Sequence, residues 1–494
     1  MRTRIVPTAS GKKAIQVVSK QNGKVTVHKH IGTYSTPEQK AQLLKEAEKF
    51  ILHTTGQTNF LDLISSVRPL EIAITQSRPK FLYDLLSAIY DKLGLGSFPD
   101  TLIKDLVIAR LYQPASKLET SEILKDSFGR DYALKTIYRH LKKGMEQGVK
   151  ESFQQSLIDF AKEGLGDSLR LIFYDVTTLY FESHLKSQLK EFGFSKDHRS
   201  QDTQVVVGLV VNNQGFPLYF DVFSGKTFEG HTFIPVIKNI QKLLGGAEII
   251  VVADAAMVSK DNIEKLEAEK IGFVVGARLA NLPQNLIDSI TSKLNGTDGQ
   301  TRTETYRNQR LICQYSAVRA AKDKSDRLKQ VTKAQTAIST PSQITKRFRF
   351  LKQEGSQLSL NTDLVTKAEK LEGIKGYLTN TNLPETAVIE KYHDLWKIEN
   401  SFRITKSDLE ARPVFHRLDE TIKAHLVIVF AGLAIARYIE IKTYLSIRRV
   451  LKIAGKVLTH KVTNTKTGEM AYVETTIEDS VLKEEIGLLK TLGH

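Results

Sequence analysis

Hydrophobic residues in the N-terminal part of the chain follow first a period of two and then a helical period. Residues 14–19 (AIQVVS) and 24–31 (KVTVHKHI) alternate in a way that is typical of strands. Asn22-Gly23 lies between them, and this dipeptide favours the tight turn of a β-hairpin. Residues 36–52 have a helical period, with Pro37 suited to the first turn. We therefore predict a hairpin followed by a helix.

The helical period continues through residues 80–164. Within this region, 120–127 and 133–143 are separated by a turn that contains Gly129, which is typical of a helix-turn-helix. The second of these helices carries basic side chains that could read DNA: Lys135, Arg139, His140, Lys142 and Lys143. Short helix pairs with a basic face are also common packing units, so recognition and scaffolding are both open interpretations.

Apolar, β-branched and aromatic runs dominate the next part of the chain. They predict strands at 169–181, 204–211, 216–223, 248–253 and 271–277. Helical periods predict helices at 232–244 and 259–270. The order β-β-β-α-β-α-β is that of the ribonuclease H-like fold, which ends with one further helix. We therefore predict an α/β protein with a ribonuclease H-like core.

An insertion at 280–370 separates the last of these strands from the closing helix. After a short strand at 373–378, the next strong helical period begins at Glu385 and continues to about Glu410. Residues 319–352 of the insertion hold ten Lys or Arg against two Asp. Such a segment is either a DNA-facing surface or a solvated, partly disordered stretch.

These boundaries divide the chain into successive segments. They are a hairpin and helix (1–75), a helical DNA-binding region (76–165), the first part of the core (166–279), the insertion (280–370), the second part of the core (371–440) and a helical C-terminal tail (441–494). The most apolar run, 426–435, is shorter than the roughly 18 residues that a membrane helix needs. We expect a buried helix there, and no membrane partner.

Composition narrows the possible functions. The chain has 494 residues, with 71 Lys or Arg against 55 Asp or Glu and a formal net charge of +16. This surplus attracts polyanions, nucleic acid above all, although a generally basic housekeeping enzyme would share it. The single cysteine, Cys313, excludes a disulfide framework and a cysteine-based zinc site. The basic N-terminus lacks the apolar stretch of a secretory signal, so we expect a cytoplasmic protein.

Two aspartates fall on predicted core strands. Asp175 lies inside an apolar run, where an ionised carboxylate is costly unless it is paired or bound to metal. Asp254 directly follows 248–253, at the carboxyl edge where α/β sheets place their sites. Either could be a helix cap or an ion-pair partner, but two of them on neighbouring strands favour a functional site.

The predicted helix at 385–410 offers a third acid. Tyr392, Glu399 and Lys406 are seven residues apart and would share one helical face. Arg403 lies four residues after Glu399, and by spacing alone an ordinary ion pair is the simpler explanation. Trp396, the only tryptophan, is expected in the core. The sequence contains no P-loop, HExxH or GxSxG motif.

The segments around these acids resemble a known signature. Asp175 in YDVTT, Asp254 in VVADAAM, and Y-x6-E-x6-K across Tyr392, Glu399 and Lys406 resemble the catalytic motifs of bacterial insertion-sequence DDE transposases. The most similar subgroup, insertion sequence 4-like, is marked by a Tyr-Arg-Glu-Lys motif. The similarity covers roughly 169–440 and extends through three further segments: FEG at 228–230, VVGARL at 274–279 and SFRITKSDLEARPVFH at 401–416.

The resemblance implies a DNA transposase. It would bind the terminal inverted repeats of an insertion sequence, cleave their ends and join them to target DNA. Asp175, Asp254 and Glu399 would hold two Mg²⁺ ions, with Mn²⁺ as a substitute. Lys406 and Tyr392 would contact the DNA backbone. Such enzymes act on double-stranded DNA as homodimers in a synaptic complex and need no ATP. A DNA partner in turn implies association with the nucleoid.

The sequence departs from the family's pattern at two positions. Leu395 stands where the motif has Arg, and Ala255 stands where relatives often have Arg. Arg403 is our candidate for the missing phosphate contact. Two other functions stay open: a metal-dependent nuclease of the same fold that never joins strands, and a catalytically inactive or domesticated DNA-binding protein. The presence of all three carboxylates argues against the second.

Overall fold

The structure is a computed structural model that describes residues 1–8, 11–21, 24–55, 72–182, 184–195, 201–257, 259–294, 296–339, 348–354, 357–414 and 416–492. The chain forms two compact units. The first comprises Met1–Ser77 and Thr459–Glu474, and the second comprises Arg78–Leu458 and Thr475–His494. Each unit has its own cluster of buried apolar residues.

The first unit begins with an antiparallel sheet and a helix. These are β1 (Arg2–Pro7), β2 (Lys13–Gln21), β3 (Lys24–Tyr34) and α1 (Pro37–Thr55). Gln21 pairs with Lys24, as the predicted hairpin requires, and the Asn22-Gly23 turn lies outside the described residues. Ile15 and Val17 of β2 are buried together with Ala47 of α1. The predicted hairpin and helix are confirmed, whereas β1 was not predicted.

A strand and a helical region follow. They are β4 (Ile72–Arg78), α2 (Lys80–Lys92), α3 (Thr101–Tyr112), α4 (Lys117–Phe128), α5 (Leu134–Glu146) and α6 (Val149–Glu163). The Asp100 carboxylate caps α3 by accepting hydrogen bonds from the N–H groups of Leu102 and Ile103. Gly129 ends α4 in the left-handed conformation. The helices predicted around Gly129 are confirmed.

The central sheet of the second unit follows the predicted order of elements. These are β5 (Leu171–Tyr180), β6 (Gln204–Asn212), β7 (Pro217–Ser224), α7 (Glu229–Leu243), β8 (Ile250–Ala253), α8 (Lys260–Ala268) and β9 (Gly272–Ala277). In space the strands run β7-β6-β5-β8-β9. The first three are antiparallel neighbours, whereas β8 is parallel to both β5 and β9. The carboxyl ends of β5 and β8 therefore share one edge of the sheet.

The insertion contains more regular structure than its sequence indicates. Its elements are α9 (Gln284–Lys293), β10 (Thr301–Tyr306), β11 (Gln309–Tyr315), α10 (Ala317–Ser339), β12 (Leu351–Glu354), β13 (Gln357–Leu360) and α11 (Thr362–Lys370). The expectation that no strong helix precedes Glu385 is wrong. The buried residues of helix α10 are the small Ala334 and Ala337, whereas its larger apolar residues Val318 and Leu328 are exposed, so no broad apolar stripe marks the helix.

Part of the insertion joins the central sheet. Strand β14 (Ile374–Thr379) pairs antiparallel with β9, β11 pairs with β14, and β10 pairs with β11. Within the described residues, the sheet thus has eight strands in the order β10-β11-β14-β9-β8-β5-β6-β7. Arg307 and Asn308, both with positive φ, form the tight turn between β10 and β11.

The helix predicted at 385–410 is broken. It consists of α12 (Glu385–His393), α13 (Trp396–Arg403) and a π-helical turn at Ile404–Asp408. Helix α14 (Asp419–Thr443) follows. Among the described residues, α14 alone is long and apolar enough to cross a membrane, but 89% of its most apolar window is buried inside the protein. The buried helix predicted at 426–435 is confirmed.

The prediction of a helical tail is partly wrong. Helix α15 (Ile447–Ala454) is followed by the antiparallel hairpin of β15 (Thr459–Asn464) and β16 (Met470–Glu474), and then by α16 (Ser480–Thr491). Strand β15 lies beside β4 in a three-stranded sheet of the first unit. The Thr75 hydroxyl of β4 donates to the Lys461 carbonyl of β15 at 3.2 Å. This pairing joins distant parts of the chain, which local periodicity does not reveal.

Candidate active site

The pairing of β5 with β8 brings Asp175 and Asp254 together. The two parallel strands pair from Leu171 with Ile250 up to Tyr174 with Ala253. Asp175 and Asp254 are the next residues of each strand, and side chains at equivalent positions of paired parallel strands point to the same face. Asp175 is half-buried and Asp254 is exposed. The structure therefore places both carboxylates at one edge and on one face of the sheet.

Alternation along β5 identifies that face. Tyr174 points to the other side, where its ring packs against Phe233 of α7 and its hydroxyl lies 2.6 Å from the Thr232 hydroxyl. Thr177, which has the parity of Asp175, lines a small apolar space together with Phe402 of α13. Asp175 thus lies on the face that is covered by α13, the helix that carries Glu399.

Tyr392 connects α12 to Asp254. Its hydroxyl donates a hydrogen bond of 2.9 Å to Oδ1 of Asp254. The ring lies against Gly276 of β9, where a Cβ would come within 2.6 Å of the hydroxyl oxygen, so a glycine is needed for this approach. Burial, then the charge of Asp254 and the hydrogen bond to it, raise the pKa of Tyr392. Tyr392 therefore stays neutral and holds the Asp254 carboxylate as a hydrogen-bond donor.

Lys375 is a further charged residue at this site, and it was not among the residues predicted from the sequence. Its Nζ lies 4.4 Å from the centre of the Tyr392 ring. Burial lowers the pKa of Lys375, the charge of Arg319 lowers it further, and the charges of Asp254 and Glu399 act in the opposite direction. Glu399 also contributes to the raised pKa of Tyr392. The lysine is thus within electrostatic reach of two of the three acids; the one available signal was its position on the strand that precedes α12.

The break after α12 changes the expected arrangement of the motif residues. Tyr392, Glu399 and Lys406 lie on α12, α13 and the π-helical turn, so they do not share the face of one straight helix. Leu395 at the break is buried and offers no contact to a phosphate. Trp396 begins α13 with 57% of its surface exposed, so the expectation of a core position is wrong. Helix α12 packs on β9 and β14 whereas α13 packs on β5 and β6, and the break allows both contacts.

Arg403 points toward the turn that follows α13. Its Nε and Nη2 donate to Oδ1 of Asn400 at 3.0 and 2.8 Å, and its Nη1 lies 3.4 Å from Asp408. Asp408 also pairs with Arg448. The ion pair with Glu399, which was the simpler explanation by spacing alone, does not form among the residues that the structure describes. The Arg403 guanidinium is half-exposed, and these contacts leave further N–H groups on Nη1 and Nη2 for another ligand.

The basic residues of α5 form a separate exposed surface. Lys135, Arg139 and Lys142 are exposed, while the opposite side of the helix buries Ile137 and Leu141. Lys142 lies 3.9 Å from Glu146. In the described structure, no hydrogen bond or ion pair joins these cations to the carboxylates at the sheet edge.

The acids at the sheet edge suit a divalent cation in donor type. Asp175, Asp254 and Glu399 offer hard carboxylate oxygens, which Mg²⁺ and Mn²⁺ prefer. Within the described ranges, however, no group of three or more His, Cys, Asp or Glu side chains lies close enough together to hold a metal ion. The residues therefore fit a divalent cation by their chemistry and their side of the sheet, without forming a closed cluster.

A cavity of about 570 Å³ opens beside Asp254, Tyr392 and Lys375. The insertion supplies much of its wall, including these basic residues: Arg319, Arg327, Arg349 and Lys367. Arg319 lies 3.3 Å from Asp323, and Arg327 lies 2.5 Å from Glu372. The described part of the insertion thus borders Asp254 with a wall of mixed charge.

Comparisons with known proteins identify the family of this chain. Residues 167–435, more than half of the chain, match the model of the transposase DDE domain, and this segment contains Asp175, Asp254 and Glu399. No curated protein matches the chain. Among solved structures, it is similar to the piggyBac transposase in a synaptic complex with hairpin DNA, at 9% sequence identity and a TM-score of 0.39 over 79% of this chain and 81% of that chain. The family match covers the sheet edge and the helix above it, and on that ground the chain belongs to the transposase DDE domain family.

Proposed function

We propose that the chain is an insertion sequence 4-like DNA transposase with a ribonuclease H-like core. It would bind the terminal inverted repeats of its element, cleave their ends and join them to target DNA. The observation that carries the proposal is the register of β5 and β8, from which Asp175 and Asp254 emerge side by side. Glu399 on the covering helix is the third acid, and the strand order around β5 supports the proposed core.

Asp175, Asp254 and Glu399 would hold two Mg²⁺ ions, with Mn²⁺ as a substitute. When bound, such ions activate the attacking hydroxyl and stabilise the leaving oxygen of a phosphodiester. Tyr392 orients the Asp254 carboxylate through Oδ1 and leaves Oδ2 for a cation. Lys375 adds a positive charge that attracts a scissile phosphate. The proposed reaction needs neither ATP nor a covalent intermediate with a side chain.

The DNA would follow cations on two parts of the second unit, and all of them are exposed except Lys406, which is half-buried. Lys406 and Arg403 lie just after Glu399, and Lys135, Arg139 and Lys142 lie on α5. The net charge of +16 supports a double-stranded DNA partner. We further propose that two copies hold the two ends in one synaptic complex and that the protein acts in the cytoplasm at the nucleoid.

The test is excision and integration from a donor plasmid that carries the gene's native flanking DNA. Wild type is compared with Glu399→Gln, which removes one carboxylate charge from an exposed position, and with Glu390→Gln, an exposed glutamate of α12. We expect wild type and Glu390→Gln to cleave and join the ends, and Glu399→Gln to bind them without cleavage.

Each other outcome identifies a different function. Cleaved ends that are never joined indicate a nuclease. End binding without cleavage by any of the three proteins indicates a non-catalytic DNA-binding protein. Cleavage by Glu399→Gln at the wild-type rate contradicts the role of this residue.

A further inference from the structure

A second cavity, of about 420 Å³, lies between the α3–α4 connection, α5 and the N-terminal part of α14. We propose that it binds a phosphate group, held by Lys117 and Arg110. The lining side chains that matter for this proposal are polar or charged: Arg110, Lys117, Tyr138, Glu410, His416 and His425. The proposal does not depend on the transposition reaction.

Lys117 is the central observation. It lies in the first turn of α4, where a lysine is usually solvated, yet only 5% of its surface is exposed. Its ammonium has no hydrogen bond or ion pair to any described residue, and the side chain lines the cavity. Burying an unpaired ammonium is costly, and the cost disappears when an anion binds beside it.

Arg110 adds a second buried cation on the same wall. It is 7% exposed, and its Nη2 donates to the Ala115 carbonyl at 2.9 Å, which leaves other N–H groups of the guanidinium for a ligand. No carboxylate lies within ion-pairing distance of Arg110 in the part of the chain that the structure describes. Glu410 acts on it at longer range, and the two carboxylates that line the cavity, Glu410 and Glu119, are both exposed. Two neighbouring cations without a close counterion form a site for an anion.

Two histidines complete the wall. The His416 and His425 rings lie 5.1 Å apart, and Nδ1 of His425 is buried without a hydrogen-bond partner in the described structure. Burial, with the charges of Lys117 and Arg110, lowers the pKa of His416 to about 3. Burial also lowers the pKa of His425, whose one N–H is engaged by the backbone of Ala411, so both rings are neutral near neutral pH. His416 can then donate its N–H to a ligand, while the positive charge comes from Lys117 and Arg110. This combination suits the several acceptor oxygens of a phosphate.

The source of the phosphate is either a DNA strand or free phosphate, and the same chemistry recognises both. The first measurement is equilibrium dialysis of the wild-type protein with radiolabelled inorganic phosphate at constant ionic strength. We expect saturable binding, and its absence overturns the proposal whatever the variants do.

The second measurement compares Lys117→Met with Lys125→Met, an exposed lysine on the same helix. Inorganic phosphate should raise the Tm of wild type and Lys125→Met by a few degrees and leave that of Lys117→Met unchanged. Without phosphate, Lys117→Met should be at least as stable as wild type, because the unpaired charge is gone. An equal Tm rise in all three proteins shows general salt stabilisation and overturns the proposal.

The third measurement identifies the source. Duplexes with and without a 5′-terminal phosphate are compared for wild type and Lys117→Met. If the terminal phosphate tightens binding severalfold only in wild type, the site receives a DNA end. If inorganic phosphate binds and the duplexes show no difference, the site takes free phosphate. If neither the binding of inorganic phosphate nor the effect of the terminal phosphate on duplex binding depends on Lys117, the proposal is wrong.

Discussion

The acidic site at the sheet edge and the cationic cavity beside α4 differ in whether their charged groups have partners within the protein. At the sheet edge, Asp254 accepts a hydrogen bond from Tyr392, and Lys375 lies near the negative charges of Asp254 and Glu399. In the cavity, Lys117 has no partner among the described side chains and is almost completely buried. The first arrangement is partly compensated within the protein, whereas the second is unfavourable until an anion arrives. Buried charge without compensation is therefore the stronger indication of an unassigned ligand.

The largest expected effect concerns the acidic site. Glu399→Gln should lower the rate of end cleavage by about 10³-fold, since a metal ligand supplies several kcal/mol of transition-state stabilisation. End binding in a gel-shift assay should change little. Glu390→Gln is the matched control. If Glu399→Gln cleaves the ends at a rate within tenfold of wild type, Glu399 is not required for the proposed reaction, and the acidic site loses its expected sensitivity to the loss of one charge.

The next effect belongs to the cationic cavity and depends on pH. Burial and the charges of Lys117 and Arg110 lower the pKa of His416 to about 3 in the folded protein. At pH values below the ordinary pKa of a histidine, the unfolded chain therefore binds more protons than the folded protein. Stability should thus fall as pH falls through this window, by about 2 kcal/mol between about pH 7 and about pH 5.

His416→Gln should remove that part of the loss, as measured by urea unfolding at both pH values. His231→Gln, at an exposed position, should keep the wild-type dependence. The same slope in all three proteins would show that His416 does not carry the effect.

A smaller effect is expected when the hydrogen bond from Tyr392 to the Asp254 carboxylate is removed. Tyr392→Phe keeps the ring beneath Lys375 but removes the hydrogen bond to Asp254. The cleavage rate should fall about tenfold, because a hydrogen bond to a charged group is lost. The requirement for divalent cation should rise in parallel. A rate equal to wild type would show that the carboxylate is positioned without Tyr392.

The smallest expected effect concerns the exposed cations of α5, in contrast to the buried Lys117 and Arg110 of the cavity. Arg139→Ala should weaken end binding a few-fold and lower the slope of log affinity against log salt by about 1, as expected for one lost phosphate contact. Lys483→Ala, which alters an exposed position on α16, should leave the slope unchanged. Equal slopes in both variants would contradict a DNA-contacting role for α5.

Much of the central sheet could be predicted from local sequence. Asp175 and Asp254 were recognisable because each interrupts or ends a continuous apolar run, and buried strands produce such runs. The alternation of strands and helices between 169 and 277 was equally local. The hairpin around Asn22-Gly23 followed from turn chemistry, since few residues adopt the required backbone.

The errors share a physical origin in long-range packing. The break near Leu395 arises because α12 and α13 cover different strands, although their sequence has one continuous helical period. Strand β15 joins β4 rather than continuing the tail as a helix, and β11 extends the central sheet through β14. Each of these contacts depends on a partner far away in the chain, so no window of neighbouring residues contains the information.

The chain's own residues were enough to establish the α/β order, the positive charge and the three candidate acids, because apolar periodicity and residue type are local properties. The folded structure alone decided which face Asp175 shares with α13, that Lys375 lies over the Tyr392 ring within reach of the charges of Asp254 and Glu399, and that Lys117 is buried. A lysine at the start of a helix carries no sign of burial in its sequence neighbours. Its environment is set by α14 and the segment before it, which reach it only when the chain has folded.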